Sequence, residues 1–143
     1  MTIRENALAI ARTWIGTPYH HQASKRGRGA DCLGLVRGVW RELYGAEPEI
    51  PPPYSPDWAE ATRVETLLAA ARRNLVEIDK SEARPGDVVL FRMVRGGPAK
   101  HAGILSEDGR FIHAYSGKAV SNSVLSSWWE GKIIAAFTWP EPS

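Results

Sequence analysis

The chain reads as an α+β fold, with N-terminal helices packed on an antiparallel sheet, and three observations predict it. Apolar residues recur at helical spacing through the first half. After Asn74 the pattern changes to short apolar runs separated by turn residues. A polar four-residue stretch, Glu107-Asp108-Gly109-Arg110, sits between two of those runs and reads as a hairpin. Helices first and strands afterwards is the α+β layout.

Taken in order, residues 3–14 place Ile3, Ala7, Leu8, Ile10, Ala11 and Trp14 largely on one helical face, and Gly16-Thr17-Pro18 ends that helix. Tyr19 to Gly29 is read as a polar loop. Residues 32–44 repeat the helical spacing with Leu35, Val36, Val39, Trp40, Leu43 and Tyr44, and Gly45 is the stop. Residues 48–56 hold Pro48, Pro51, Pro52, Pro53 and Pro56, which predicts an extended connector inside one domain spanning 1–143. A third helix is expected over 56–73. Strands are expected at 75–78, 88–91, 101–105, 111–115, 119–124 and 133–138, with Ala83-Arg84-Pro85-Gly86-Asp87 as a turn.

The 143 residues suit one domain with a core of its own. A formal charge of +2 is too small to argue for nucleic acid. No apolar run approaches the ~18 residues of a membrane span. The N-terminus shows no apolar signal segment, so the expectation is synthesis and folding in the cytoplasm, with another agent carrying the chain to any site of action outside. The single cysteine excludes an internal disulfide.

That cysteine, Cys32, follows a glycine-punctuated loop and opens a helical pattern. Free backbone N–H groups and the helix dipole at such a position favour a thiolate. Lys25, Arg26 and Arg28, just upstream, would either be a solvated loop or attract an anionic group. A lone cysteine with distant histidines outlines a nucleophile and its base. The hairpin supplies a geometric test. A three-residue connection, 107–109, pairs residue 106 with 110 and carries 103 against 113 and 101 against 115. His101 and His113 then become diagonal neighbours on one sheet face, roughly 7–8 Å apart by backbone spacing. A two-residue turn would put them on opposite faces. In the first case His101 can act as base, and His113 can hold its other ring nitrogen.

Asp31-Cys32-Leu33-Gly34-Leu35-Val36 resembles the Asp-Cys-Ser-Gly-Leu-Val signature of NlpC-type cell-wall cysteine peptidases. Arg84-Pro85-Gly86-Asp87, His101-Ala102-Gly103-Ile104, Phe111-Ile112-His113-Ala114 and Gly16-Thr17-Pro18-Tyr19 are similar to other landmarks of that family, in the same order. The resemblance implies a papain-like fold and cleavage of peptidoglycan stem peptides, commonly between D-γ-glutamyl and a diamino acid. It implies Cys32 as nucleophile, His101 as base, His113 as the orienting residue and Tyr19 near the oxyanion, with no cofactor and no metal. Asp31 would contact a substrate ammonium or cap the helix. Leu33 departs from the family's serine and cannot hydrogen-bond a substrate's amino end.

The leucine and the short chain look most like the phage-encoded branch. Its members resemble tail-associated peptidases, acting in the periplasm with phage-like tail proteins as partners. Two other readings remain: an amidase or acyltransferase on the same scaffold, and a structural tail subunit with a vestigial site. Adjacent His20 and His21 lack the spacing of a metal site. Trp128, Trp129 and Trp139 would be core anchors or sugar-stacking platforms. The Arg95-Gly96-Gly97-Pro98 loop could gate the cleft.

Overall fold

The computed structural model describes residues 1–49 and 66–142. Helix α1 spans Ile3–Thr13 and opens with a capping box. Thr2 accepts from the Glu5 backbone N–H, and the Glu5 carboxylate accepts from the Thr2 N–H. Its buried face is Ala7, Leu8 and Ala11, as the periodicity predicts, and Trp14 caps its C-terminus. Helix α2, Cys32–Tyr44, buries Gly34, Leu35, Gly38 and Val39. It ends at Gly45, whose φ of 93° stops the helix while its N–H donates to the Arg41 carbonyl. Helix α3 covers Thr66–Asn74. The expected start of that helix, and the prolines from Pro51 to Pro56, lie outside the described residues.

The strands are β1 (Ser24–Lys25), β2 (Gly29–Ala30), β3 (Val76–Ile78), β4 (Val88–Arg92), β5 (Ala99–Leu105), β6 (Arg110–His113), β7 (Ser121–Val124) and β8 (Ile133–Thr138). A one-turn helix α4 spans Ser127–Glu130. Strands β3 to β8 form one antiparallel sheet in the order β3-β8-β4-β5-β6-β7. One face carries Val88, Leu90, Ala102, Ile104, Ile112, Ala135 and Phe137 against the helices. The other carries Val89, Phe91, Phe111 and Ala136 under Trp129 and Ile133. The predicted α+β layout therefore holds. The region read as a polar loop does not stay irregular: β1 and β2 pair as a small hairpin, Ser24 with Ala30 and Lys25 with Gly29.

The turn before β4 is held by Asp87, which is fully buried. Its carboxylate accepts from Arg4 Nε at 2.9 Å and from the Arg84 backbone N–H at 2.9 Å, tying α1 to the start of the sheet. Asp87→Ala removes the partner of the Arg84 N–H and of the Arg4 guanidinium. A loss of roughly 1–3 kcal/mol is expected, read as a lower urea midpoint at an unchanged slope.

Candidate active site

The hairpin joining β5 to β6 settles the histidine geometry. Ile104 pairs with Ile112 and Leu105 with Phe111, while the Ser106 N–H donates to the Arg110 carbonyl at 2.8 Å. The connection is the three-residue one, closed by Asp108 and Gly109 at φ of 59° and 68°. Both histidines therefore share a face, and their side chains lean together. His101 Nε2 and His113 Nδ1 are 2.9 Å apart. Gly103 lies between them in the pairing pattern. A Cβ there would stand 2.7 Å from the Phe111 ring, so its absence lets Phe111 lie flat across the strand. Phe111 in turn stacks on His113, with ring centroids 4.0 Å apart.

Cys32 is the first residue of α2, and Asp31 is its N-cap. One Asp31 carboxylate oxygen accepts from the Gly34 N–H at 2.7 Å. The other accepts from the Gln22 N–H at 2.7 Å, with His21 Nδ1 at 3.9 Å. Asp31 is buried, and both its oxygens serve the protein's own backbone. Of the two roles expected for it, the structure shows the cap. Gly34 lets α2 approach β1 closely, and its carbonyl accepts from Ser24 Oγ at 2.6 Å. Cys32 Sγ comes within 3.9 Å of the Lys100 carbonyl on β5.

A cleft of about 300 Å³ holds Cys32 and His101 together, with Tyr19, Asp31, His21 and Tyr115 among its walls. The N-terminus of α2, strand β5 and the Tyr19 segment thus converge on one space. Tyr19 is anchored by a bridge to Ala30 and a hydrogen bond with Ser116. Burial, then the charges of Asp31 and Cys32, raises its phenol above the ordinary value, which keeps the hydroxyl available as a donor. Arg26, one of the upstream basic residues, instead reaches Thr13 and Glu42.

The thiol does not behave as its helix position suggested. Burial, reinforced by the Asp31 carboxylate, pushes Cys32 up to about 12. Backbone N–H groups of Ala102, Leu33 and Cys32 pull the other way and lose. The side chain is still partly open to the cleft. His101 falls to about 3, through burial and then the charge of His113; His113 falls to about 4, through burial and then Lys118. At rest the cleft thus holds a thiol and a neutral imidazole.

This has a consequence for stability. Below about pH 6.5 the unfolded chain takes up a proton on each imidazole, which the folded chain refuses until about pH 4 and 3. Stability is full above 6.5 and falls as the pH drops towards 3. At pH 5 the loss is on the order of 2 kcal/mol per histidine. Urea midpoints at pH 7 and pH 5 should differ accordingly, and the difference should shrink in the His101→Gln, His113→Gln double variant. Equal midpoints in the wild type would contradict this.

Trp129 packs its ring against the two histidines and Tyr115. Its ring centroid is 5.5 Å from that of His101, 5.1 Å from His113 and 5.3 Å from Tyr115. Trp139 is a core anchor donating Nε1–H to the Gly86 carbonyl, and Trp128 is exposed under Lys132 Nζ. Trp129, expected as a core anchor or a sugar-stacking platform, thus packs behind the histidines, and Tyr115 joins the site without having been expected there. The adjacency of Trp128 and Trp129 was the only signal, and it does not say which of the two faces inward.

The sequence profile described as the NlpC/P60 family matches residues 16–138. The chain belongs to the NlpC/P60 family. It is 31% identical over 120 residues to the probable endopeptidase NlpC of Escherichia coli strain K12, covering 83% of this chain and 67% of that one. It is 33% identical over 124 residues to the gamma-DL-glutamyl hydrolase of Bacillus subtilis strain 168, covering 86% of this chain and 26% of that protein. The chain therefore spans two thirds of the first relative and about a quarter of the second. The solved NlpC/p60 domain of peptidoglycan hydrolase SagA aligns with a TM-score of 0.66 at 24% identity, over 94% of this chain and 97% of that one. That likeness shows that the NlpC/P60 fold extends over almost all of this chain.

Proposed function

We propose that this chain is a cysteine peptidase that hydrolyses peptidoglycan stem peptides, with residues 1–143 as one catalytic domain. The observation that carries the reading is the 2.9 Å bond between His101 Nε2 and His113 Nδ1. It commits Nε2 and leaves Nδ1 of His101 as the nitrogen to serve Cys32 in the shared cleft. The polar lining contributed by Tyr19, His21, Asp31 and Ser116 supports a peptide over a lipid acyl group. The relatives named as endopeptidase and glutamyl hydrolase support the same substrate class.

In the proposed reaction, His101 Nδ1 takes the Sγ proton as the sulfur attacks the stem carbonyl carbon. With burial holding the thiol up at about 12, attack is coupled to that transfer. The Cys32 N–H and the Tyr19 hydroxyl stabilise the oxyanion. His101 returns the proton to the leaving amine as the carbon–nitrogen bond breaks, giving a thioester on Cys32. Water, deprotonated by His101, then releases the acid and the free thiol.

The scissile bond we propose is D-γ-glutamyl–diamino acid. The setting we propose is a phage-like tail that carries the chain from the cytoplasm to the periplasm, supported by the Leu33 form of the motif. Digestion of diamino-acid-type peptidoglycan, read by mass spectrometry, tests activity and bond together. Stem fragments with wild type and none with Cys32→Ala are expected, and the new termini name the bond. Fragments from both proteins, or from neither, would contradict the reading.

A further inference from the structure

The contacts beyond the histidine pair continue in a line. His113 Nε2 lies 3.0 Å from Ser123 Oγ on β7, and Ser123 Oγ lies 3.3 Å from Ser121 Oγ. Ser121 pairs with His113 and Ser123 with Phe111, so both hydroxyls share the face of the histidines. Each group in the row can donate in one direction or the other, and so the row has two polarities. In one, Ser123 donates to His113 Nε2, His113 Nδ1–H donates to His101 Nε2, and His101 carries its proton on Nδ1. That nitrogen then cannot accept a proton from sulfur. In the other, His101 Nε2–H donates to His113 Nδ1, and His113 Nε2–H donates to Ser123 Oγ.

Once His101 has accepted the thiol proton, both its nitrogens are donors. Only the second polarity is then left. His113 Nδ1 has to accept, its proton has to sit on Nε2, and Nε2–H needs an acceptor inside the protein because His113 is 4% exposed. We infer that Ser123 is a positioning residue of the site: by accepting from His113 Nε2 it favours the second polarity in both histidines and supports the imidazolium that forms on His101. Ser121 accepts the Ser123 hydroxyl proton in turn and completes the row. This rests on the reading of Cys32 and His101 as the reacting pair.

The test uses Cys32 alkylation by iodoacetamide, which needs no peptidoglycan, together with ¹⁵N shifts of the His113 ring. His101→Ala is the check on the underlying pair: it should slow alkylation strongly, and an unchanged rate would overturn the pair and this inference with it. Given that dependence, Ser123→Ala should slow alkylation about 10- to 100-fold, since it leaves a buried N–H unpaired. Ser123→Thr keeps the hydroxyl and should restore most of the rate. The wild-type His113 ring should be protonated on Nε2, and the Ser123→Ala ring should show a mixture of tautomers or the Nδ1 form. Wild-type alkylation and an unshifted His113 tautomer in Ser123→Ala would overturn the role of Ser123 while leaving the pair intact. A threonine variant as slow as the alanine one would also overturn it, because the hydroxyl would not be what matters.

Discussion

His101→Ala is expected to lower the turnover of a defined stem peptide by roughly 10²–10⁴-fold with little change in KM. The size follows from the state of the thiol. Burial holds Cys32 up at about 12, so the free protein has almost no thiolate to fall back on once the base is gone. A neutral imidazole is the form the proposed step requires, and burial holds His101 well below its usual range, at about 3. His113→Ala should cost less than His101→Ala, because it removes the partner of Nε2 and leaves Nδ1 in place. His113→Asn should recover part of that loss, since its side-chain oxygen can still accept from Nε2–H. Turnover within tenfold of wild type in His101→Ala would show that another group takes the thiol proton.

Gly34→Ala should be the most damaging single methyl in the site's framework. Alanine is favoured over glycine in a helix by about 1 kcal/mol. Here the added Cβ would stand 1.8 Å from the Ala23 carbonyl oxygen and 2.9 Å from its carbon, and both are backbone atoms. No rotamer relieves such a contact, so α2 has to lift away from β1, and the bond from Ser24 Oγ to the Gly34 carbonyl lengthens. Overpacking of this kind costs roughly 1–3 kcal/mol or more and outweighs the propensity gain. Cys32 lies half a turn away on the same helix. Activity should therefore fall well beyond what the unfolded fraction explains, in protein that still shows a cooperative urea transition. A fully active, equally stable Gly34→Ala would show that the first turn of α2 has slack.

The pairing of the histidines was legible only as a condition on the loop length, because sheet parity is strict, and the Ser106–Arg110 pairing met that condition. One loop length decides which face every residue takes, and Gly109 marked the loop. Helix α2 and its stop at Gly45 were legible for the same reason, a strong period and a single glycine. The β1–β2 hairpin was not, because two residues per strand show no alternation and Ser24, Lys25 and Gly29 carry no strand preference. The resting state of Cys32 was misjudged from local signals. The helix N-terminus is a sequence feature, but the burial and the Asp31 charge that outweigh it depend on the tertiary packing that sets the first turn of α2 against β5. Asp31 read equally well as ligand or cap until the Gln22 N–H, nine residues away, was seen to occupy its second oxygen. Trp128 and Trp129 stood out together, but which of them faces inward was not legible, since α4 is a single turn lying on the sheet.

The central claim is that Cys32 forms a thioester with the stem peptide. The direct measurement is intact-mass spectrometry of protein mixed with a purified stem peptide and quenched in acid within milliseconds to seconds. The expected result is an adduct equal in mass to the amino-terminal fragment less water, mapped to Cys32, lost in Cys32→Ala and strongly reduced in His101→Ala. Stem cleavage that proceeds with no adduct at any quench time, or that survives Cys32→Ala, would contradict it.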